Sequence, residues 1–306
     1  MTALETRLRR ASDVTPSHVG VPGESRFLDV GDVTLHTVVA GPEDGEPVVL
    51  LHGFPEFWYG WHEYLEPLSE AGYRVIVPDQ RGYHRSEKPA AVSAYHPDRL
   101  AADVSGLLDA LEVEAAHVVG HDWGALVAWW LGLHDPDRIR TLSVLNVPHP
   151  SAFRRALTRD PRQLLKSWYA GFFQLPRVPE LVARAGNWRV LTDVLERTSR
   201  PETFDCGDFE RYRTAWAVDG AYRSMVNWYR AIARANPTPR TTRVTPPTLV
   251  LWGAQDDFLQ ESLAADSAAY CAQSRLVVLD DATHWLHHEE PARVSDELTR
   301  QFQSGV

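Results

Sequence analysis

Apolar and polar positions along this chain follow two periods. Between residues 26 and 40 they alternate, with Phe27, Leu28 and Val30, then Val33, Leu35, Thr37 and Val39, around Gly31-Asp32. That alternation predicts a β-hairpin. PVVLLHG (47–53) is different: a short unbroken apolar run ending in glycine, the mark of a strand buried on both faces. Similar runs recur at YRVIVPD (73–79), AAHVVGH (115–121), RTLSVLN (140–146), PPTLVLWG (246–253) and RLVVLD (275–280). Helical spacing separates several of them. Leu100, Val104, Leu107, Leu108 and Leu111 share one face, and Leu126, Ala128, Trp129, Leu131 and Leu133 follow Gly124. Strands alternating with helices predict an α/β fold with a mostly parallel, doubly wound sheet.

The alternation stops near residue 147. Residues 150–240 contain no buried-strand run and are rich in Trp, Tyr, Phe and Arg, and the sheet pattern resumes at Pro246. The expected organisation is a core formed by 1–149 and 241–306, interrupted by a helical cap at 150–240. An apolar cleft between cap and core would lie where ligand sites collect, at strand carboxyl ends.

Composition narrows the function classes. The chain has 306 residues, 44% hydrophobic and 24% charged, which fits a packed globular protein. Its net charge of −10 disfavours non-specific nucleic-acid binding, which needs a basic footprint. No apolar run is long enough to span a bilayer, and MTALETRLRR lacks the apolar stretch of a signal peptide, so no membrane partner and a cytoplasmic location are expected. Cys206 and Cys271 have no metal-like spacing and read as two reduced thiols. No metal and no cofactor are expected.

The sharpest chemical signal is Val119-Gly120-His121-Asp122-Trp123-Gly124, lying between a buried strand and a helix. It has the G-x-nucleophile-x-G shape of a turn that projects one side chain, although an aspartate capping a helix gives the same local pattern. Aspartate at the central position changes the reaction class. A carboxylate attacking a saturated carbon leaves an alkyl ester on the enzyme, which water must then cleave. That second step needs a general base and an oxyanion hole. Asp is too weak a nucleophile for ordinary acyl transfer, so protease and esterase readings fall. The substrate should be an epoxide or an alkyl halide.

Three further segments join the first. His52-Gly53-Phe54-Pro55 ends the first buried strand, and the backbone N–H groups of Phe54 and Trp123 are candidate oxyanion donors. Asp256 follows the strand TLVLW, with Asp257 as its competitor, and His284 lies in Thr283-His284-Trp285 beyond RLVVLD. The chain order Asp122, Asp256, His284 is nucleophile, acid, histidine, with Asp256 orienting His284 and His284 activating water. Asp280 and Asp281 read as surface charges, and His287 and His288 as residues of the following helix face.

Over nearly its whole length the chain resembles the α/β-hydrolase-fold epoxide hydrolases. The matching segments are HGFPEFWYGWHEYL (52–65), PDQRGYHRSEKP (78–89), VGHDWGALVAWW (119–130), VLNVPHP (144–150), LWGAQDDF (251–258) and THW (283–285). Within the cap, Tyr169-Ala170-Gly171-Phe172-Phe173-Gln174 and Met225-Val226-Asn227-Trp228-Tyr229-Arg230 are similar to the family's two tyrosine motifs. The resemblance implies that Tyr169 and Tyr229 hold the epoxide oxygen. Phenolic hydroxyls suit that role because they stay protonated at neutral pH. It implies substrate contacts from Phe54, Pro55 and Trp123. His84 departs from the pattern, which usually has glycine there, and so questions that loop's contact with the cap. Asn146 stands where some relatives place the acid, which favours Asp256.

The implied activity is hydrolysis of a small-molecule epoxide to a vicinal diol. The aromatic residues Trp168, Phe172, Phe173, Trp188, Trp216 and Trp228 suggest an apolar or aromatic substrate, with part of that set serving as cap core. A homodimer is compatible with the sequence. Haloalkane dehalogenase is the alternative enzyme, with Trp123 beside the nucleophile as a halide donor. Against it, the side chain of Phe54 cannot donate a second hydrogen bond, and Trp123 in place of Arg disfavours a fluoroacetate-type dehalogenase. A non-catalytic small-molecule binder on the same fold is the third reading.

Overall fold

The computed structural model describes residues 14–304; the amino-terminal stretch on which the signal-peptide expectation rests lies outside the described residues. A short turn of helix, α1 (Pro16–Val19), precedes β1 (Glu24–Asp29) and β2 (Thr34–Ala40), which pair antiparallel with Leu28 opposite Leu35. This is the expected hairpin. The buried runs become β3 (Glu46–Leu51), β4 (Tyr73–Pro78), β5 (Ala116–His121), β6 (Ile139–Leu145), β7 (Thr248–Gly253) and β8 (Ser274–Leu279). They form one eight-stranded sheet in the order β1-β2-β4-β3-β5-β6-β7-β8, parallel from β4 to β8.

Strands β4, β5 and β7 are buried at every position, as the absence of alternation in their sequences requires. β8 differs from that expectation. Its residues are exposed or half-buried, because it closes the sheet and has one neighbour only. The covering helices include α2 (His62–Glu70), α3 (Pro97–Ala110) and α4 (Trp123–His134). Ten of the twelve residues of α4 are buried, which fits a helix apolar on all sides.

Between β6 and β7 the chain runs through seven helices: α5 (Pro150–Arg159), α6 (Pro161–Lys166), α7 (Trp168–Phe172), α8 (Val178–Arg184), α9 (Arg189–Thr198), α10 (Cys206–Ala217) and α11 (Ala221–Ala235). Their boundaries have local causes. Proline opens α5 and α6, where its missing N–H costs nothing. Asp205 and Asp208 form a reciprocal capping box at the start of α10. Asn236, at φ 42°, ends α11 in the left-handed conformation. After β7 come α12 (Ser262–Ala268), α13 (Leu286–Glu289) and α14 (Pro291–Gln303). Among the described residues no helix is long and apolar enough to cross a membrane. Cys206 is exposed, Cys271 is buried, and neither is bridged.

Register places the site. Leu51 pairs with Gly120, His121 with Leu145, Leu145 with Leu251, and Gly253 with Leu279. The loops after β3, β5, β6, β7 and β8 therefore emerge along one edge, the carboxyl edge of a parallel sheet. Packing there leaves no room for a side chain between the start of α4 and the end of β3. A methyl group on Gly124 would collide with the carbonyl oxygens of Leu51 and His52, which are backbone and cannot turn aside. Gly124→Ala should therefore lower the unfolding free energy by about 1–3 kcal/mol. Urea unfolding followed by circular dichroism measures this directly.

Candidate active site

Asp122 ends the β5–α4 connection at φ 47° and ψ −121°, a strained conformation for a residue with a Cβ. The strain therefore falls on the central residue, while the flanking glycines serve another purpose. A Cβ on Gly120 would strike the backbone of Gly124, and one on Gly53 would strike the Asp122 side chain. The glycines make room, and the turn pushes Asp122 into the space above the sheet. The backbone N–H of Phe54 donates to Asp122 Oδ1 at 2.7 Å. Trp123 opens α4, where first-turn N–H groups have no partner within the helix. Burial opposes ionisation of Asp122, yet the neighbouring charge of His284 holds its carboxyl below the ordinary aspartate range.

His284 Nδ1 lies 2.7 Å from Asp256 Oδ2, and its Nε2 lies 3.7 Å from Asp122 Oδ2, beyond hydrogen-bond range. Asp256 rather than Asp257 faces the imidazole; Asp257 is exposed and lines the cavity. Burial works against a charged imidazole, but Asp256 and Asp122 more than offset it and raise the His284 pKa to about 10. Asp256 is fully engaged. Its Oδ1 accepts from the N–H groups of Phe258 and Leu259, and its Oδ2 also accepts from Asn146 Nδ2 at 2.7 Å.

A cavity of about 560 Å³ opens above Asp122 and His284. Phe54 and Pro55 line it from the sheet edge, and Tyr169, Phe172, Phe173, Val182, Leu191 and Tyr229 line it from the inserted helices. Burial, with the charge of Asp122, pushes the hydroxyls of Tyr169 and Tyr229 above the ordinary tyrosine value, so both stay protonated. The expected aromatic set divides. Trp168, Phe172 and Phe173 face the cavity, while Trp188, Trp216 and Trp228 are buried core. The Trp123 indole packs edge-on against Tyr229 at 4.7 Å and near Trp228 at 5.6 Å, and its side chain hydrogen-bonds with that of Tyr229.

Asn146, Lys166, Glu56 and His121 hold the site together, a role that their sequence positions do not assign to them. Asn146, at φ 52°, holds the Gly253 N–H with its Oδ1 and gives its Nδ2 to Asp256 and to the Thr283 carbonyl. It ties the loops after β6, β7 and β8 together. Lys166, from α6, donates to the carbonyls of Asp256 and Asp257 at 2.8 and 2.9 Å. Glu56 is fully buried beneath the site and contacts His121, His287 and His288, and accepts from the hydroxyl of Tyr212. His121 in turn lies 2.9 Å from the His284 carbonyl. His287 and His288 lie on the following helix, α13, as expected, with both imidazoles turned inward to Glu56. Burial disfavours a charged Glu56, but the surrounding imidazoles hold its pKa well below the ordinary range.

A second buried carboxylate, Asp79, is bracketed by His36 at 2.7 Å and His84 at 2.8 Å. His84 takes φ 32°, a conformation that His tolerates better than most residues, and this accounts for its departure from glycine. The loop keeps its contact with the inserted helices, since Trp228 Nε1 donates to the Arg81 carbonyl at 3.0 Å. Both carboxylate–histidine clusters contain donor types suited to a metal ion. In both, the donor atoms already satisfy one another by hydrogen bonds.

Known proteins are similar to this chain in sequence and in fold. The α/β hydrolase fold family model matches residues 46–291. The AB hydrolase superfamily protein YfhM of Bacillus subtilis is 42% identical over 270 residues, covering 88% of this chain and 94% of that protein. Epoxide hydrolase 4 of Mus musculus is 38% identical over 274 residues, covering 87% of this chain and 75% of that protein. The crystal structure of a Bacillus megaterium epoxide hydrolase in complex with an inhibitor superposes with a TM-score of 0.83 at 26% identity, covering 91% of this chain and all of that one. The strained elbow, the strand order and these similarities together place the chain in the α/β-hydrolase-fold family, among the epoxide hydrolases.

Proposed function

We propose that the protein converts an epoxide to a vicinal diol through an ester on Asp122. The observation that carries this reading is a single cavity with Asp122 and His284 on one wall and Tyr169 and Tyr229 on the other. An ionised carboxylate can attack one ring carbon from below while two protonated phenols meet the ring oxygen from above. Residues 150–240 act as the cap that supplies the phenols.

In the first step an Asp122 oxygen bonds to a ring carbon and that carbon's bond to the ring oxygen breaks. The departing alkoxide gains a proton through Tyr169 or Tyr229. Asp122 thereby loses its negative charge, and with it part of what keeps His284 protonated. His284 gives up its proton, which balances the one taken up by the opened ring. The histidine is then neutral when a base is needed. In the second step His284 takes a proton from water, and hydroxide adds to the ester carbonyl. The N–H groups of Phe54 and Trp123 hold the resulting oxyanion. Collapse breaks the carbonyl carbon–oxygen bond to the diol, His284 gives its proton to the departing oxygen, and the new Asp122 carboxyl then returns a proton to His284, restoring the ion pair. Asp256 keeps the imidazole charged or neutral in the correct orientation throughout.

The apolar wall around Phe172, Phe173, Val182 and Leu191 favours an apolar or aromatic substituent on the epoxide. The side chain of Phe54 lines the cavity and offers no second hydrogen-bond donor beside Trp123, which counts against the dehalogenase reading.

Replacing His284 by Ala removes the base and should trap the ester. Intact-protein mass after mixing this variant with aryl and alkyl epoxides should rise by the whole mass of the epoxide. A gain of an alkyl group from an alkyl bromide, with none from epoxides, would make the enzyme a dehalogenase instead.

The charge coupling has its own test. In the free wild-type enzyme His284 should titrate near 10, well above the ordinary imidazole value of 6.5. Its ion pairs therefore stabilise the fold fully below about 6.5 and are lost as pH rises through about 10. Asp122→Asn mimics the uncharged ester, so the His284 resonance in that variant should titrate lower than in the wild type. An unchanged titration by NMR would remove the proposed switch from acid to base.

A further inference from the structure

We propose that the outer face of the inserted helices docks on an anionic lipid surface, with the cavity mouth opening toward it. Eleven large apolar side chains are exposed among the described residues, and nine of them lie between residues 164 and 194. Leu165, Trp168 and Leu181 are 73%, 70% and 69% exposed, values at which a side chain contributes nothing to the core. Monomeric proteins rarely gather so much apolar surface in one short segment without covering it. Helical spacing groups the residues. Val178, Leu181 and Val182 fall on one side of α8, Val190 and Val194 on one side of α9, and Leu164, Leu165 and Trp168 lie within one turn at the α6–α7 junction. Leu165, Trp168, Val182, Val190 and Val194 also line the cavity, so the patch is continuous with its mouth.

Charge selects the occupant. Residues 150–200 hold ten Arg and Lys against four Asp and Glu, whereas the rest of the chain holds 21 against 37. The basic residues are interleaved with the apolar ones: Arg177 and Arg184 flank the α8 face, and Arg197 follows Val194 by three residues. Among the described residues Arg159, Arg177, Arg184 and Arg197 make no ion pair, although all four are exposed. Arginines beside exposed Leu and Trp are the composition of a helix face that lies in a bilayer interface. Two copies joined through this face would bring like charges together, which disfavours a symmetric dimer there. An anionic lipid surface satisfies both parts of the pattern. Each basic side chain near such a surface adds about 1 kcal/mol of attraction, and the remaining acidic body turns away from it.

Docking does not depend on the reaction proposed above. Only its consequence does, that an epoxide dissolved in lipid enters the cavity without crossing water. The measurement is sedimentation of the full chain with vesicles, in the absence of epoxide. Vesicles of phosphatidylcholine containing phosphatidylglycerol should bind at least about tenfold more tightly than phosphatidylcholine alone, and salt should weaken the binding. The double variant Leu164→Ser/Leu181→Ser alters two exposed side chains that do not line the cavity. It should lose vesicle binding and keep its rate on a water-soluble epoxide. Arg184→Glu should weaken binding in the same direction. Absence of binding to anionic vesicles, equal binding to both kinds, or undiminished binding by the double variant would each overturn the proposal. So would a wild-type dimer, seen by analytical ultracentrifugation, that the double variant dissolves, since a second copy would then cover the face.

Discussion

The site depends on how closely two strand ends approach. The start of α4 sits against the end of β3 with no room for a side chain on Gly124, and this contact brings the Phe54 N–H to 2.7 Å from the Asp122 carboxylate. The same contact holds Asp122 at a positive φ that an unrestrained chain would leave. Strain of this kind persists only when the surroundings over-determine it. Here the parallel sheet does so: β3 and β5 are hydrogen-bonded neighbours, and β5 is buried on both faces. A carboxylate fixed in this way, charged and aimed at a cavity, has paid its ordering cost before any substrate arrives.

A second constraint is electrostatic. Three ionisable groups, Asp122, His284 and Asp256, share a poorly hydrated space, and each sets the charge of the next. Asp256 is held by four hydrogen bonds, so its position is fixed. Asp122 is the group whose charge changes when an alkyl ester forms. His284 lies between them and responds to that change. Beneath this group lies Glu56, whose contacts with His121, His287, His288 and Tyr212 join the nucleophile strand, the histidine loop and the inserted helices. Lys166 adds a second link from the inserted helices to the loop that carries Asp256.

Much of this was legible in the chain. The unbroken apolar runs located the inner strands because burial on both faces leaves no polar position. Runs ending in glycine or asparagine also marked the sheet edge where the chemistry collects. The edge strand β8 misled, because RLVVLD reads like an inner strand and exposure depends on how many neighbours it has. Asn146 and Glu56 left a weaker trace. Each is a polar residue at a strand or loop end that acts through partners distant in sequence, 107 residues away for Gly253 and 231 for His287. His84 looked like a defect of the loop because its partner, the buried Asp79, could not be seen.

The reaction depends on a covalent ester, and one isotope experiment addresses that most directly. A single turnover is run with enzyme in excess over epoxide, in water enriched in ¹⁸O, followed by mass analysis of the diol and of the peptide containing Asp122. In the proposed route the new diol oxygen comes from the Asp122 carboxylate, and water oxygen enters at the ester carbonyl. The first-turnover diol should therefore carry no label, and Asp122 should carry it. Label in the diol with none in Asp122 would mean that water opens the ring directly, and the nucleophile assignment would be wrong.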